Sequence, residues 1–178
     1  MSPDPKSEAA CASLLSEGMA HHGEGRLGEA KRFYREILRR DPFHSEALHL
    51  LGLVAGQVGQ PEVAEELLRR AIQCKPNSAN LFNNLGEVLR QVGRWREAVE
   101  AYRRAIVLEP NHAPAYANAA DALRAEAGHI EKQGQIRAAR ELRLHAAKYL
   151  AELGLIHWRR LILDRAEEAY RTHRGQEA

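Results

Sequence analysis

Apolar residues recur along the chain with a period much longer than a helical turn. Large apolar side chains stand 34 positions apart in three columns: Leu14, Leu48, Phe82 and Tyr116; Tyr34, Leu68 and Tyr102; Leu38, Ile72 and Ile106. Small residues and prolines keep the same period: Gly18, Gly52 and Gly86; Gly25, Gly59 and Gly93; Ala30, Ala64 and Ala98; Pro42, Pro76 and Pro110. Seven columns in register indicate an internal repeat of 34 residues.

Within one unit, the apolar positions follow the spacing of two consecutive helices. In the third unit, Leu81, Leu85 and Leu89 fall on one helical face, which predicts the first helix. Gly93 is expected to end that helix in a left-handed conformation. Pro110 then stops the second helix, because the residue before a proline is pushed out of the helical region. The pattern therefore predicts an all-α chain built from helix–turn–helix units.

Two glycines are predicted to lie inside helices, where glycine costs about 1 kcal/mol relative to alanine. These are Gly52 and Gly86, each on the first helix of its unit. The cost is offset only if a neighbouring helix approaches closely at that point. The expected partners on the second helices are Ala64 and Ala98.

These residues resemble the tetratricopeptide repeat family, whose units carry a Leu-Gly pair, then an alanine, an aromatic residue and a proline at this period. The third unit matches best, through Phe82, Leu85, Gly86, Leu89, Ala98, Tyr102, Ala105 and Pro110. The likeness covers residues 11–127 strongly, although the first unit departs from it at Glu17 and His21. The resemblance implies a right-handed superhelical solenoid that binds other proteins on its concave side, which the first helices line.

The resemblance also sets the expected organisation of the chain. Flexible ends are predicted at 1–7 and 174–178. The repeat array is predicted at 8–153, with units at about 11–44, 45–78 and 79–112, and an irregular unit at 113–153. A last helix, at 154–173, is predicted to cap the array, because a solenoid needs a terminal helix with one solvated face. A helix that docks on another domain is the alternative for this segment.

The repeat degrades in the fourth unit, where Ala119 and Ala120 replace the Leu-Gly pair. A shift of seven residues, which is two helical turns, restores much of it. Gly134 then becomes the glycine between the helices, followed by Ile136, Ala139 and Ala146, although Arg143 falls in the aromatic column. We therefore predict a lengthened helix at about 113–132 and a second at 136–152. A break near Gly128 and His129 is the alternative.

Composition, charge and the absence of known motifs argue against several classes of function for this chain. The 178 residues carry 26 basic and 24 acidic side chains, a balance that predicts no nucleic-acid partner. The sequence has no stretch of 18 apolar residues and no apolar leader, so we expect no membrane insertion and a cytoplasmic location. It has no phosphate-binding glycine loop, nucleophile elbow or zinc-protease motif, so we expect no enzyme and no catalytic residue. No cofactor or metal is predicted, since the nine histidines share no ligand spacing.

The groove residues proposed from the resemblance are the non-core positions of the first helices. They are Leu15, Met19, His49, Leu50, Leu53, Asn83, Asn84, Glu87, Arg90, Asn118, Asp121 and Arg124. Six of these form three pairs that recur 34 apart: Asn84 with Asn118, Glu87 with Asp121, and Arg90 with Arg124. This stripe resembles the asparagine ladder of O-linked N-acetylglucosamine transferases, in which amides pair with both groups of a peptide unit. The alternative is that the asparagines are tolerated polar residues and that Glu87 pairs with Arg90.

The N-terminal half of the groove differs, because four of its positions are apolar. Exposed, Leu15, Met19, Leu50 and Leu53 would form a patch of the kind that marks a partner site. A clamp for a C-terminal carboxylate is not expected, since basic residues are missing from the positions of Leu15, His49 and Asn83. The sequence thus predicts a protein-interaction module that binds a peptide or helix of a partner protein. The alternatives are the substrate-recognition region of a glycosyltransferase or methyltransferase system, and a scaffold that assembles with copies of itself.

Overall fold

The computed structural model describes residues 5–174, and the side chains of residues 8–157. This part of the chain contains eight α-helices and no strand, which confirms the all-α prediction. The helices are α1 (Pro5–Gly23), α2 (Leu27–Arg40), α3 (Ser45–Gln57), α4 (Pro61–Cys74), α5 (Ala79–Gln91), α6 (Trp95–Leu108), α7 (Ala113–Glu131) and α8 (Ile136–Arg174). Most of the two ends predicted to be flexible lies outside the described residues, although residues 5–7 and 174 are helical.

The helices pack in chain order as four antiparallel pairs, α1–α2, α3–α4, α5–α6 and α7–α8. Neighbouring pairs meet through a second helix and the next first helix, and α5 also contacts both α3 and α7 directly. The first helices therefore form one layer of the solenoid. Because they approach each other more closely than the second helices do, this layer lies on the concave side.

Four glycines set the turns between the paired helices. Gly25, Gly59, Gly93 and Gly134 have φ values of 75°, 74°, 78° and 80°, in the left-handed region that glycine reaches without strain. The first three confirm the predicted turns at the 34-residue period. Gly134 confirms the shift of seven residues in the fourth unit.

The glycines inside the first helices make room for the second helices, but the predicted partner of Gly86 is wrong. A Cβ on Gly86 would lie 2.5 Å from Cε1 of Tyr102, so this ring, and not Ala98, occupies the space. A Cβ on Gly52 would lie 3.2 Å from Cγ of Leu68 and 3.5 Å from the carbonyl oxygen of Ala64. The close approach therefore involves the aromatic column, and the rings of Tyr34 and Tyr102 are fully buried.

The fourth unit follows the prediction of a lengthened first helix. Helix α7 has 19 residues, whereas α3 and α5 have 13 each, and it continues without a break through Gly128. Of the three residues that follow Gly134 in the shifted register, Ala139 and Ala146 are buried in α8, whereas Ile136 is 55% exposed. Residues 132–135 of the preceding turn are exposed as well.

The separate capping helix predicted at 154–173 is not formed. Helix α8 runs from Ile136 to Arg174 as one element of 39 residues, so the predicted end near residue 152 is wrong. Gly154 lies at the predicted boundary, but its φ is not positive and the helix continues through it. With no proline in this stretch, one glycine costs only about 1 kcal/mol and does not end a long helix.

Candidate functional site

The concave layer formed by α1, α3, α5 and α7 carries all of the predicted groove residues. At its N-terminal end, Leu15 and Leu50 are half-buried because they pack against the main hydrophobic core. Leu53 is also half-buried, whereas Met19 is 48% exposed. The apolar patch is therefore narrower than the sequence suggested, with Met19 as its most accessible member.

The polar end of the groove is organised by hydrogen bonds between neighbouring first helices. Asn118 Nδ2 on α7 donates to Asn83 Oδ1 on α5 at 3.0 Å. Asn83 Nδ2 faces Asn84 Oδ1 at 3.5 Å, and Asn84 Nδ2 donates to His49 Nε2 on α3 at 2.7 Å. We call these four residues (Asn118, Asn83, Asn84 and His49) the amide relay. It links three first helices in one direction.

The relay differs from the ladder predicted from the sequence, in which Asn84 and Asn118 are equivalent rungs. Both bonds between helices join residues 35 positions apart, because each asparagine contacts the neighbouring column of the preceding unit. His49 and Asn83 occupy one column, and Asn84 and Asn118 occupy the next. The sequence places both columns on the groove, and the one-residue offset between them is the signal that could have identified the bonded pairs.

The relay leaves hydrogen-bonding capacity available to a ligand. A side-chain amide has two N–H donors and an oxygen with two lone pairs. Asn83 and Asn84 each use one N–H donor and one oxygen lone pair in the relay. Each therefore keeps one N–H donor and one lone pair for a ligand. Among the described residues, no side chain donates to Asn118 Oδ1, so the whole carbonyl acceptor of this residue is available.

His49 lies half-buried at the other end of the relay, in the wall of a cleft of about 210 Å³. The other residues of this cleft are Ser45, Glu46, Lys75, Ser78, Asn80 and Leu81. Burial lowers the pKa of His49 below its usual value, and the charge of Glu46 only partly opposes this shift. The imidazole is therefore neutral at neutral pH, as an acceptor for Asn84 must be.

A second polar group on the groove is the ion pair of Glu87 and Arg90, which the sequence analysis gave as the alternative to a ligand contact. Arg90 donates to Glu87 from Nε at 3.1 Å and from Nη2 at 2.5 Å, and the hydroxyl of Tyr102 donates to Glu87 Oε2 at 3.3 Å. Burial raises the pKa of Glu87, but the hydrogen bonds and charge of Arg90 outweigh it and leave the pKa lowered. These two charges are largely satisfied within α5.

The equivalent pair on α7 is looser. Arg124 Nη1 lies 3.4 Å from Asp121 Oδ1, and both side chains are more than half exposed. The 34-residue recurrence of the charges is thus present in the structure, while the degree of burial is not repeated.

A cleft that the sequence analysis did not identify lies at the N-terminal end of the array. It has a volume of about 490 Å³ and is lined by Leu14, Glu29, Arg32, Phe33, Arg35, Glu36 and Arg39. Two of these residues, Leu14 and Phe33, correspond to Leu48 and Leu67 of the second unit, which are buried there. The spacing of Leu14 and Phe33 relative to the buried Leu48 and Leu67 is the signal that could have revealed it.

Two features are absent from the described part of the chain. None of its helices combines the length and the apolar character needed to cross a membrane. No three of its histidine, cysteine, aspartate and glutamate side chains come together as metal ligands would.

The repeat matches two family models and one curated relative. Two family models described as tetratricopeptide repeat match the chain, one over residues 15–79 and the other over residues 79–112. The human tetratricopeptide repeat protein 7B is 35% identical over 60 residues, which are 34% of this chain and 7% of that protein. The chain thus spans less than a tenth of the curated relative it matches.

Two solved structures share the architecture. The MamA protein superposes with a TM-score of 0.70 at 22% identity, over 85% of this chain and 75% of that chain. A mutant O-GlcNAc transferase of Thermobaculum terrenum superposes with a TM-score of 0.66 at 30% identity, over 82% of this chain and 27% of that chain. The likeness to MamA concerns the fold alone.

Proposed function

We propose, from the premise that this chain belongs to the tetratricopeptide repeat family of protein-interaction modules, that its concave surface holds an extended peptide segment of a partner protein. The proposal assigns the binding surface to the groove and the contact with the peptide to the amide relay. It depends on the available hydrogen-bonding groups of the amide relay.

The amide relay is suited to a peptide backbone more than to particular side chains. A peptide unit presents one N–H and one C=O, and a side-chain amide can pair with both. Asn83, Asn84 and Asn118 present such groups on two neighbouring helices. Their orientation is fixed by the relay before a ligand arrives, so less conformational freedom is lost on binding. An extended segment is favoured over a helix, because a helix satisfies its own backbone groups.

The other end of the groove is proposed to supply a preference for an apolar side chain. Met19 on α1 is exposed there, and Leu50 and Leu53 on α3 are half-buried. Methionine is flexible and polarisable, so it adapts to apolar side chains of different shape. The ligand therefore places an apolar residue near Met19 and its backbone along the relay.

A double substitution on the relay tests this proposal. Peptides selected from a random library on the wild-type chain are measured against the variant Asn84→Ala/Asn118→Ala. Each amide contributes about one net hydrogen bond, ~0.5–1.5 kcal/mol. Affinity should fall roughly 5- to 150-fold, since 1.4 kcal/mol is a factor of ten. The loss should be similar for selected peptides of unrelated sequence, and fluorescence polarisation measures it.

The chain offers a matched control. Asn77 and Asn111 are also 34 apart, but they lie exposed in the turns between units. The variant Asn77→Ala/Asn111→Ala should leave peptide affinity within a factor of two or so, as for surface changes away from a site. Equal losses in the two double variants, or none in either, would contradict backbone recognition by the relay.

The 30% identity to the O-GlcNAc transferase supports a second candidate that concerns the partner rather than the groove. In it, the bound peptide is a substrate that this chain presents to a glycosyltransferase. The peptide experiment tests the groove for both candidates. The second candidate also requires that glycosylation of a selected peptide changes when the wild-type chain is present, and that the double variant abolishes this change.

A further inference from the structure

The amide relay has a fixed direction, and one ring nitrogen sets it. An amide nitrogen can only donate, so His49 Nε2 must accept from Asn84 Nδ2 across their 2.7 Å contact. The ring therefore carries its single proton on Nδ1. Every other bond of the relay points the same way, from Asn118 toward His49.

Protonation of His49 makes this arrangement impossible. Both ring nitrogens of a charged imidazole are donors, so Nε2–H would face the N–H of Asn84. A rotation of the Asn84 amide by 180° removes the conflict, because it turns Oδ1 toward the ring. The same rotation turns Asn84 Nδ2 toward Asn83 Nδ2, so Asn83 must rotate in turn, and then Asn118.

We propose that His49 is a positioning residue whose protonation reverses the hydrogen-bond direction of the entire amide relay. In the neutral state, Asn118 presents its carbonyl oxygen outward and accepts. In the protonated state, Asn118 presents its amide nitrogen and donates. A proton bound to His49 on α3 thus changes the hydrogen-bonding group that Asn118 on α7 offers to a ligand, two first helices further along the concave layer.

The groups around His49 place this change below neutral pH. Burial holds the pKa of the His49 imidazole below the usual value of 6.5, and Glu46 on the same helix opposes that shift. Lys75, from the end of α4, lines the same cleft. On α5 the charges of Glu87 and Arg90 are paired with each other. Helix α1 contributes His22, which hydrogen-bonds Gln57 two turns further along α3.

The reversal should make ligand affinity depend on pH, an expectation that rests on the proposed function. A peptide that donates an N–H to Asn118 binds the neutral form of the relay. Its apparent affinity falls with the fraction of neutral protein, which is roughly tenfold for each pH unit below the midpoint. A ligand that offers only acceptors at this position shows the opposite dependence.

The reversal is tested on the free protein by side-chain amide NMR. The chain has six asparagines, so selective ¹⁵N labelling gives a simple spectrum that single Asn→Ala variants assign. In a titration from pH 8 to pH 5, the amide signals of Asn83, Asn84 and Asn118 should move with one midpoint. That midpoint should equal the one of the His49 ring protons and lie below 6.5. The amides of Asn77 and Asn111 should not move.

The variant His49→Gln keeps an acceptor for Asn84 but cannot gain a proton, so it should abolish all three titrations. His145→Gln, an exposed position of α8, is the matched control and should leave them unchanged. The proposal is overturned if only Asn84 follows the ring, because the 3.5 Å link to Asn83 then fails to transmit the change. It is also overturned if the amides titrate in His49→Gln.

The peptide measurement separates this inference from the proposed function. If the amides reverse together while the affinity of a selected peptide stays constant with pH, the role of His49 is supported and recognition by the relay is contradicted. The backbone spectrum, recorded at each pH, shows whether the fold persists. The wild-type titration needs no variant to fold.

Discussion

The third and fourth units pair the same two kinds of helix but hold them together in different ways. In the third unit, Gly86 on α5 meets the fully buried ring of Tyr102 on α6. In the fourth, Ala120 on α7 and Ala146 on α8 are buried in one cluster. Arg143, which stands in the column of Tyr102 after the shift of seven residues, is exposed and pairs with Glu131. The two helices of a unit can therefore approach closely in two ways. A large ring can pack against a glycine, or two alanines can face each other.

The difference shows that the repeat preserves a distance between helices and not a particular pair of residues. A glycine is needed in the third unit only because a ring stands opposite it. Once the ring is absent, an alanine fits the same position, and it gains about 1 kcal/mol of helix propensity over glycine. Three predictions test how far this contrast extends.

The largest effect is expected from removal of the ring. Tyr102→Ala should lower the free energy of unfolding by ~3–5 kcal/mol, the usual cost of deleting a buried aromatic side chain. Arg143→Ala should leave it nearly unchanged, because the side chain is exposed and its ion pair is screened. Urea denaturation of the two variants measures both values. Similar costs would contradict the proposed difference between the units.

An intermediate effect is expected from filling the space opposite the ring. In Gly86→Ala, the new Cβ would lie 2.5 Å from Tyr102, so overpacking should cost ~1–3 kcal/mol. Gly52→Ala is the matched control, since its Cβ would meet Leu68 at 3.2 Å, and the gain in helix propensity offsets that tighter contact. In thermal denaturation, Gly86→Ala should have a clearly lower melting temperature than Gly52→Ala. Adding Tyr102→Leu, which copies the Gly52 site, should recover part of the loss; no recovery would mean that the ring is not the obstacle.

The smallest effect concerns the ion pairs of the two units. The net pKa of Glu87 is lowered: burial raises it, but hydrogen bonds and charge from Arg90 lower it further. A carboxyl group with a depressed folded pKa stabilises the protein above its unfolded value of 4.5, and this stabilisation is lost as the pH falls through the folded value. Glu87→Gln should therefore cost ~0.2–1 kcal/mol at pH 7, a range that allows for solvent screening, and less at pH 3.

The exposed pair of the fourth unit is the comparison for this measurement. Asp121→Asn should leave the free energy of unfolding nearly unchanged at both pH values, since Asp121 and Arg124 are more than half exposed. Urea denaturation at pH 7 and pH 3 checks both variants. An equal pH dependence in the two would show that burial does not distinguish the pairs.

Much of the fold was predictable because its determinants are local. The left-handed glycines, the prolines after the second helices and the apolar spacing each act within a few residues, so the turn at Gly134 was found even though the repeat had shifted. The continuation of α8 through Gly154 was not predictable in this way. A glycine is compatible with both a helix end and a helix interior, and packing decides between them.

Less of the candidate site was predictable, because it depends on contacts between units. The asparagines on the groove were identified by their period, but the bonded partner of Asn118 is set by a one-residue offset between neighbouring helices. Leu15 and Leu50 were assigned to the groove, and both turn partly toward the core. The sequence fixes which helical face a residue occupies, while the tilt of the helix decides how far that residue reaches into the groove. Ligand contacts of all groove residues, and assembly with a second copy, stay predictions.

The extra length of α7 adds contacts between the last pair of helices and the pair before it. Its additional six residues extend the helix by about 9 Å. They carry His129, whose ring lies 4.9 Å from that of Trp95, and the buried Glu126, which accepts from Arg96 at 2.6 Å. In a linear array, the cost of opening a pair is its own stability plus its coupling to one neighbour. These two contacts strengthen the coupling of the last pair to its neighbour, which raises the cost of locally opening the helix that carries Asn118.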